Sequence, residues 1–350
     1  LPGLRNLFTQ GKLAVLANVG TLKRPITRAQ YLAKVRSIPQ SLFSHSDQSK
    51  QWQVSQGNEL TGNSPGWGGK MADSLLAYNS AALYPSVTSM VGSNLYCEGQ
   101  VTRPSAVRPS NTRGPTGFNG SSSSTLRRQS MQQIIDTLSG HALVDSAASG
   151  SRRMLDEITV LNNALNPLPS LQTEFPDTNI GKQFRQVARM IQARDNLGMS
   201  RQIFFVSLGN FDTHADQLAS QAGLLAQLDA AMASFYQATE ELAVASQVTS
   251  FTLSEFGRTL LPANGGSDHG WGNHHFIMGG AVHGGDVYGE FPSLILSGSD
   301  DASDKGRFIP TTSVDQYAAT IANWLGVGTQ DLADLFPNLI NFPNPLLRFI

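Results

Sequence analysis

The second half of the chain alternates short apolar runs with amphipathic helices, and nothing else in the sequence restricts the fold as much. "QIFFVSLG" (202–209) has the β-branched and aromatic content of a strand. A long amphipathic helix follows, with Leu218, Leu225, Leu228, Met232, Phe235 and Leu242 assigned to one face. "VTSFTLSEFG" (248–257), "HHFIMGGAV" (274–282) and "PSLILSG" (292–298) read as further strands, and "SVDQYAATIANWLG" (313–326) as a helix with a serine cap and a terminal glycine. Alternation of this kind predicts an α/β fold, with a mainly parallel sheet sandwiched by helices.

The first half fits the same plan. "KLAVLANVG" (12–20) and "SVTSMVG" (86–92) read as strands. Helices are expected over 26–38, with Thr27 as N-cap, and over 65–79, 126–138, 152–165 and 181–196. Between them, 103–125 is rich in proline, glycine and serine and has no period, so it reads as a long surface loop or lid. Its Arg103, Arg108 and Arg113 are either solvated or contacts for an anionic substrate. No internal repeat interrupts residues 1–350, which are read as a single domain.

Composition removes several function classes. Only 15% of residues are charged and the formal net charge is −1, so nothing resembles the basic stripe that nucleic-acid binding calls for. No apolar run approaches the roughly 20 residues of a membrane span. Plentiful serine, glycine, asparagine and glutamine with scarce lysine point to a periplasmic or secreted protein. The single cysteine, Cys97, forms no internal disulfide and excludes a thiolate-rich metal site. A divalent metal would need nitrogen and oxygen ligands, which suits zinc or manganese, with magnesium or calcium as further options.

In open α/β sheets ligands bind beyond the carboxyl ends of strands, so polar residues there are the ones to inspect. Asp212 and His214 follow 202–209, Glu255 and Arg258 close 248–257, and Asp268 and His269 lie in the loop "GGSDHG". A lone His/Asp pair is usually a cap, whereas two pairs and a strand-end glutamate form a candidate metal cluster. Ions held there would polarise a phosphoryl or sulfuryl oxygen. Side chains alternate along a strand, so of the adjacent His274 and His275 at most one reaches the cluster. His274 is expected on the loop and His275 in the sheet, with His283 an ordinary loop residue. Ser44 opens a helix in "SLFSHSDQSKQWQ", either as nucleophile or only as N-cap.

"NFDTHADQ", "SEFGRTLLPANGGSDHGWGNHHFIMGGAVHGGDVYGEFP" and "FSHSDQSKQWQ" together resemble the bacterial domain-of-unknown-function family 1501, over nearly the whole chain. That family is placed in the alkaline phosphatase-like (sulfatase-like) superfamily, and its members commonly carry a twin-arginine export signal. The resemblance implies an exported, metal-dependent hydrolase of phosphate or sulfate esters, acting on a small-molecule or glycan substrate. It implies metal ligands at Asp212, His214, Glu255, Asp268 and His269, a nucleophile at Ser44, and substrate contact by Arg258. Family members normally begin with a strand ending in a Gly-Gly-x-Asp type motif, whose acid is expected to bind metal. "LPGLRNLF" reads like the segment after that motif, so either the chain starts late or a central strand and a ligand are lacking. The competing expectation is a non-catalytic cell-surface or periplasmic binding protein of the same fold. A cofactor-free serine hydrolase using Ser44 with a histidine is disfavoured, because no Gly-x-Ser-x-Gly elbow surrounds Ser44.

Overall fold

The computed structural model of the protein describes residues 1–55, 64–109, 121–137 and 139–350. Its strands are β1 (Leu13–Gly20), β2 (Val87–Ser89), β3 (Ser105–Ala106), β4 (Ile203–Phe205), β5 (Thr249–Phe251), β6 (Arg258–Ala263), β7 (Gly266–His269), β8 (Asn273–Gly279), β9 (Val287–Tyr288) and β10 (Thr312–Ser313). They form a five-stranded sheet in the order β10-β1-β8-β5 with β9 also on β1, a three-stranded sheet β3-β2-β4, and the two-stranded pair β6-β7.

The fold is α/β, and the three-stranded sheet is wholly parallel. The larger sheet is mixed: β10 and β9 run parallel to β1, but β8 runs antiparallel to both β1 and β5. The cause lies between β5 and β8. A parallel return needs a crossover of a dozen or more residues, usually helical, and this stretch holds the β6–β7 hairpin instead.

Strand β1 is almost fully buried because each side chain meets a core on its own face. Ala14, Leu16 and Val19 join Trp67, Ile277 and Tyr317 on one side. Leu13 joins Phe184, Met232, Phe235 and Met278 on the other. Helices Trp67–Ser74 and Val314–Leu325 supply the first face, and Asn179–Gln192 and Gln217–Glu241 the second. The capped helix is as expected: Ser313 closes a capping box with Gln316, and Gly326 ends the helix at φ 111°.

Several expected elements change. The helix over 26–38 shrinks to Arg28–Leu32, capped by Thr27 and Gln30, because none of its residues is buried to hold a longer one. Helices Ser122–Asp136 and Ala142–Leu165 start earlier than their patterns suggest. Leu218 is 90% exposed and does not join the face of its helix. Residues 292–298 form no strand. There the buried carboxylate of Asp301 takes the Ser297 N–H into a turn, leaving Leu294, Ile295 and Leu296 exposed. The 103–125 stretch contains β3, paired to β2, and the start of helix Ser122–Asp136. The rest of it, 110–120 with Arg113, lies outside the described residues, as does Leu138.

Strands β4 and β5 are each three residues long, shorter than the apolar runs that contain them. Among the described residues each is paired on one edge alone, β4 with β2 and β5 with β8.

Candidate metal centre

Five elements meet at the carboxyl ends of β4 and β5. After β4 the chain turns through Asn210, at φ 73°, and presents Asp212 and His214. That turn is pinned to β7, because Ser267 N–H donates to the Thr213 carbonyl at 3.2 Å. Gly266 sits so close that a Cβ there would come within 2.2 Å of the His214 carbonyl carbon. Glu255 follows β5. His269 ends β7 directly across from Arg258 in β6. His45 is the first residue of helix His45–Val54.

Asp212 is the focus. Its Oδ1 lies 2.9 Å from His214 Nε2 and 3.1 Å from His269 Nε2, and accepts from Arg258 Nη1. Its Oδ2 lies 3.1 Å from His45 Nε2. The other His45 nitrogen, Nδ1, is 3.0 Å from Glu255 Oε1. The facing Nε2 atoms of His214 and His269 are 3.2 Å apart. One ligand atom each from His45, Asp212 and His269 falls within 4.8 Å of the other two.

The tautomer of His269 is set from outside. Its Nδ1 donates to the Phe43 carbonyl at 2.7 Å, which in the neutral ring leaves Nε2 with a lone pair. A lone pair 3.1 Å from a carboxylate oxygen is repelled unless a cation or proton lies between them. This donor set, two imidazoles and a carboxylate with further nitrogen and oxygen beside them, has the chemistry to hold a divalent ion through nitrogen and oxygen. Phe43 holds its carbonyl there from a left-handed backbone, φ 71°, a conformation that costs energy for a bulky residue. The Arg307 guanidinium covers the Phe43 ring at 4.3 Å and donates to the His269 carbonyl at 2.7 Å.

Local charge follows the same geometry. The hydrogen bond to Glu255 raises the His45 pKa above the ordinary histidine value, with Asp212 adding to it against a lowering by burial. Burial pushes the Asp212 carboxyl up, but the bond to Arg258 and the charges of Arg258, His214 and His269 carry it below the usual range. Asp268 is also lowered, first by the His269 N–H and then, against burial, by Arg307.

Of the residues singled out from sequence, Asp212, His214, Glu255, Arg258 and His269 come together. Asp268, Ser44 and His274 are engaged elsewhere. Asp268 Oδ2 accepts from Arg307 Nη2 at 2.7 Å. Neighbours on a strand face opposite sides, and Asp268 and His269 both belong to β7 rather than to a loop. The Ser44 hydroxyl donates to Asp47 at 2.7 Å, and Ser44 is the N-cap residue of its helix. His274 Nδ1 accepts from Asn18 N–H at 3.1 Å, and its ring lies flat on Phe291. His275 is buried in β8, bonded to Thr252 and Asn273 and packed on Trp52. His283 sits on an exposed loop beside the Arg348 carbonyl, and His141 is exposed at a helix start.

Two features escaped the sequence. His45 has no strand before it, so the strand-end rule passes over it, although "SHSD" at a helix start was in view. The hairpin had a readable signal in "LPANGGSDH". Asn-Gly between strand-forming runs is a strong hairpin mark, and Asn264 and Gly265 take φ 53° and 78°.

A family model described as "Protein of unknown function (DUF1501)" matches residues 4–336. The chain belongs to this family. No curated protein matches it. Among solved structures, the chain is similar to a crystal structure of Ps i-CgsB in complex with k-i-k-neocarrahexaose. The two are 11% identical, with a TM-score of 0.41, over 98% of this chain and 71% of that one.

Proposed function

We propose that this member of the family is a metal-dependent hydrolase of phosphate or sulfate esters, exported from the cytoplasm, with an anionic small molecule or glycan ester as substrate. The observation that carries the reading is the shared focus of His45, Asp212 and His269, residues that lie far apart in the chain. These three, with His214 and Glu255 alongside, would hold a zinc or manganese ion. Such an ion supplies positive charge that polarises an ester oxygen.

The chain's own residues do the rest. Arg258 is a positioning residue: its Nη1 holds Asp212, while Nε and Nη2 are spent on Ser267. Phe43 fixes the His269 ring, and Arg307 fixes Phe43 and the end of β7. Ser44, next to His45, would serve as nucleophile in this reading once its hydroxyl leaves Asp47 Oδ2, its place at a helix start favouring an anionic ester group.

Metal content of the purified protein and turnover of aryl phosphates and aryl sulfates test this directly. Turnover that disappears with the metal and in His269→Ala supports it. No bound divalent ion and no turnover, with His269→Ala indistinguishable from the parent, would sink it. Metal without turnover would shift the reading to a binding protein.

A further inference from the structure

The near-zero net charge of the whole chain conceals one basic stretch. Residues 21–44 hold Lys23, Arg24, Arg28, Lys34 and Arg36 and no acid, although acidic and basic residues balance over the chain, 26 to 25. A one-sided run of this kind is most often a solvated face. Here its position and its lack of partners set it apart.

The stretch is built onto the candidate metal centre. It leaves β1 at the carboxyl end, and since β1 and β5 both oppose β8, that end shares an edge with Glu255. It returns to the centre at Phe43, whose carbonyl accepts from His269 Nδ1 at 2.7 Å, just before His45. In between it is fastened down. The Thr21 carbonyl accepts from Trp271 Nε1 at 3.1 Å and the Gln40 carbonyl from Gln51 Nε2 at 2.7 Å. Leu22 and Ile26 are buried with Trp271 and Ile309, and Tyr31, Ile38, Leu42 and Phe43 pack against them. With its apolar side chains turned inward, the stretch leaves its long cationic ones at the surface.

Those charges are not neutralised within the fold. Arg24, Lys34 and Arg36 are exposed and form no ion pair among the described residues. Arg28 alone is seen paired with an acid, Asp304 Oδ1 at 3.2 Å. The nearby Asp301 is buried and engaged by the N–H groups of Ser303, Gly306 and Arg307. Arg36 is seven residues from Phe43, so their Cα atoms lie within roughly 25 Å of each other. A ligand that meets these cations and the metal centre together must extend along the stretch and carry several anions.

The side chains around the cations select its class. Nucleic acid calls for exposed rings on which bases stack, but Tyr31 lies against Trp271, and Arg307 covers Phe43. A lipid surface calls for an exposed apolar stripe, but within the stretch Leu32 is the one large apolar residue exposed. Gln40 and Ser41 are exposed between Arg36 and Phe43 and offer hydrogen bonds to hydroxyl groups.

We propose that residues 21–44 form a binding track for a polyanionic glycan, whose repeated sulfate or phosphate esters pair with Arg24, Lys34 and Arg36 while one ester lies at the metal centre. The placement of that one ester rests on the hydrolase reading; the track does not.

Binding of short dextran sulfate and dextran phosphate chains, with neutral dextran as control, tests the proposal. The protein should bind a charged dextran with an affinity that falls as salt rises, and the tighter of the two identifies the ester. The triple variant Arg24→Gln/Lys34→Gln/Arg36→Gln should bind it about 10-fold more weakly, with a shallower salt dependence and the same melting temperature. Turnover of small aryl esters should not change. Equal binding by parent and variant, binding insensitive to salt, or equal binding of neutral dextran would overturn the proposal. So would tighter binding of a single-stranded oligonucleotide or of phosphatidylglycerol vesicles. Charged-dextran binding without turnover of any ester removes the hydrolase reading alone, and aryl ester turnover without such binding removes the track alone.

Discussion

Five of the seven histidines fall into two groups that the sequence makes look alike and the fold makes different. His45, His214 and His269 lie partly exposed at the strand ends, their rings turned toward one carboxylate. His274 and His275 sit in β8, one stacked on Phe291 beside a backbone N–H, the other fully buried against Trp52. The second pair is the denser motif, yet the first group holds the candidate metal centre. Crowding along the chain therefore says little about ligation. What matters is where the fold carries a side chain, from a strand end or a helix start, and on which face.

The sharpest way to break that contrast is to remove one member of each group. Asp212→Asn or His269→Ala should lower metal affinity by more than the 10–100-fold typical of losing an outer partner, whereas His274→Ala should leave it within a few-fold. Equal losses, measured by competition with a chromophoric chelator, would erase the distinction. Arg307→Met should fall between these extremes, at about 10–100-fold weaker metal binding, because it acts on His269 only through Phe43 and the β7 backbone. If metal affinity were unchanged, Arg307 would be reduced to holding the loop. His275→Ala should do the opposite of His269→Ala. Stability should drop by about 1–3 kcal/mol, as its buried partners lose their bonds, with metal binding intact, as melting and metal titration would read.

The last contrast concerns pH. Burial drives the His275 pKa down to about 3, so the folded state keeps the ring neutral while the unfolded chain takes up a proton near 6.5. Its contribution is full above pH 6.5 and is lost as pH falls from there toward 3. Burial acts oppositely on Asp315, raised to about 6 from 3.8. There the unfolded chain releases its proton first, so stability is lost as pH rises through that window. In denaturant titrations His275→Gln should remove the loss on acidification, and Asp315→Asn the loss on the rise from about 4 to 6. Slopes identical to the parent would remove burial as the cause.

Much of this was legible in the sequence because local rules and tertiary structure agree there. The apolar run of β1, the serine cap and closing glycine of Val314–Leu325, and the strand-end positions of Asp212 and Glu255 all follow from period and capping chemistry. His45 was not legible, since its role depends on a helix start being carried to a sheet edge by contacts remote in sequence. Asp268 was misplaced for a local reason: reading "GGSDHG" as a loop ignored the strand alternation that turns it toward Arg307. The 292–298 run fails because seven apolar-rich residues cannot be told from strand by composition when a buried acid, Asp301, commits their backbone to a turn.

In the proposed centre, side chains far apart in sequence converge on one cation. Anomalous diffraction from crystals grown with zinc or manganese tests it most directly. A peak within coordination distance of His45, Asp212 and His269 is expected. A peak at Asp268 or His274 instead, or none at all with the Asp212 carboxylate simply paired to Arg258, would contradict it.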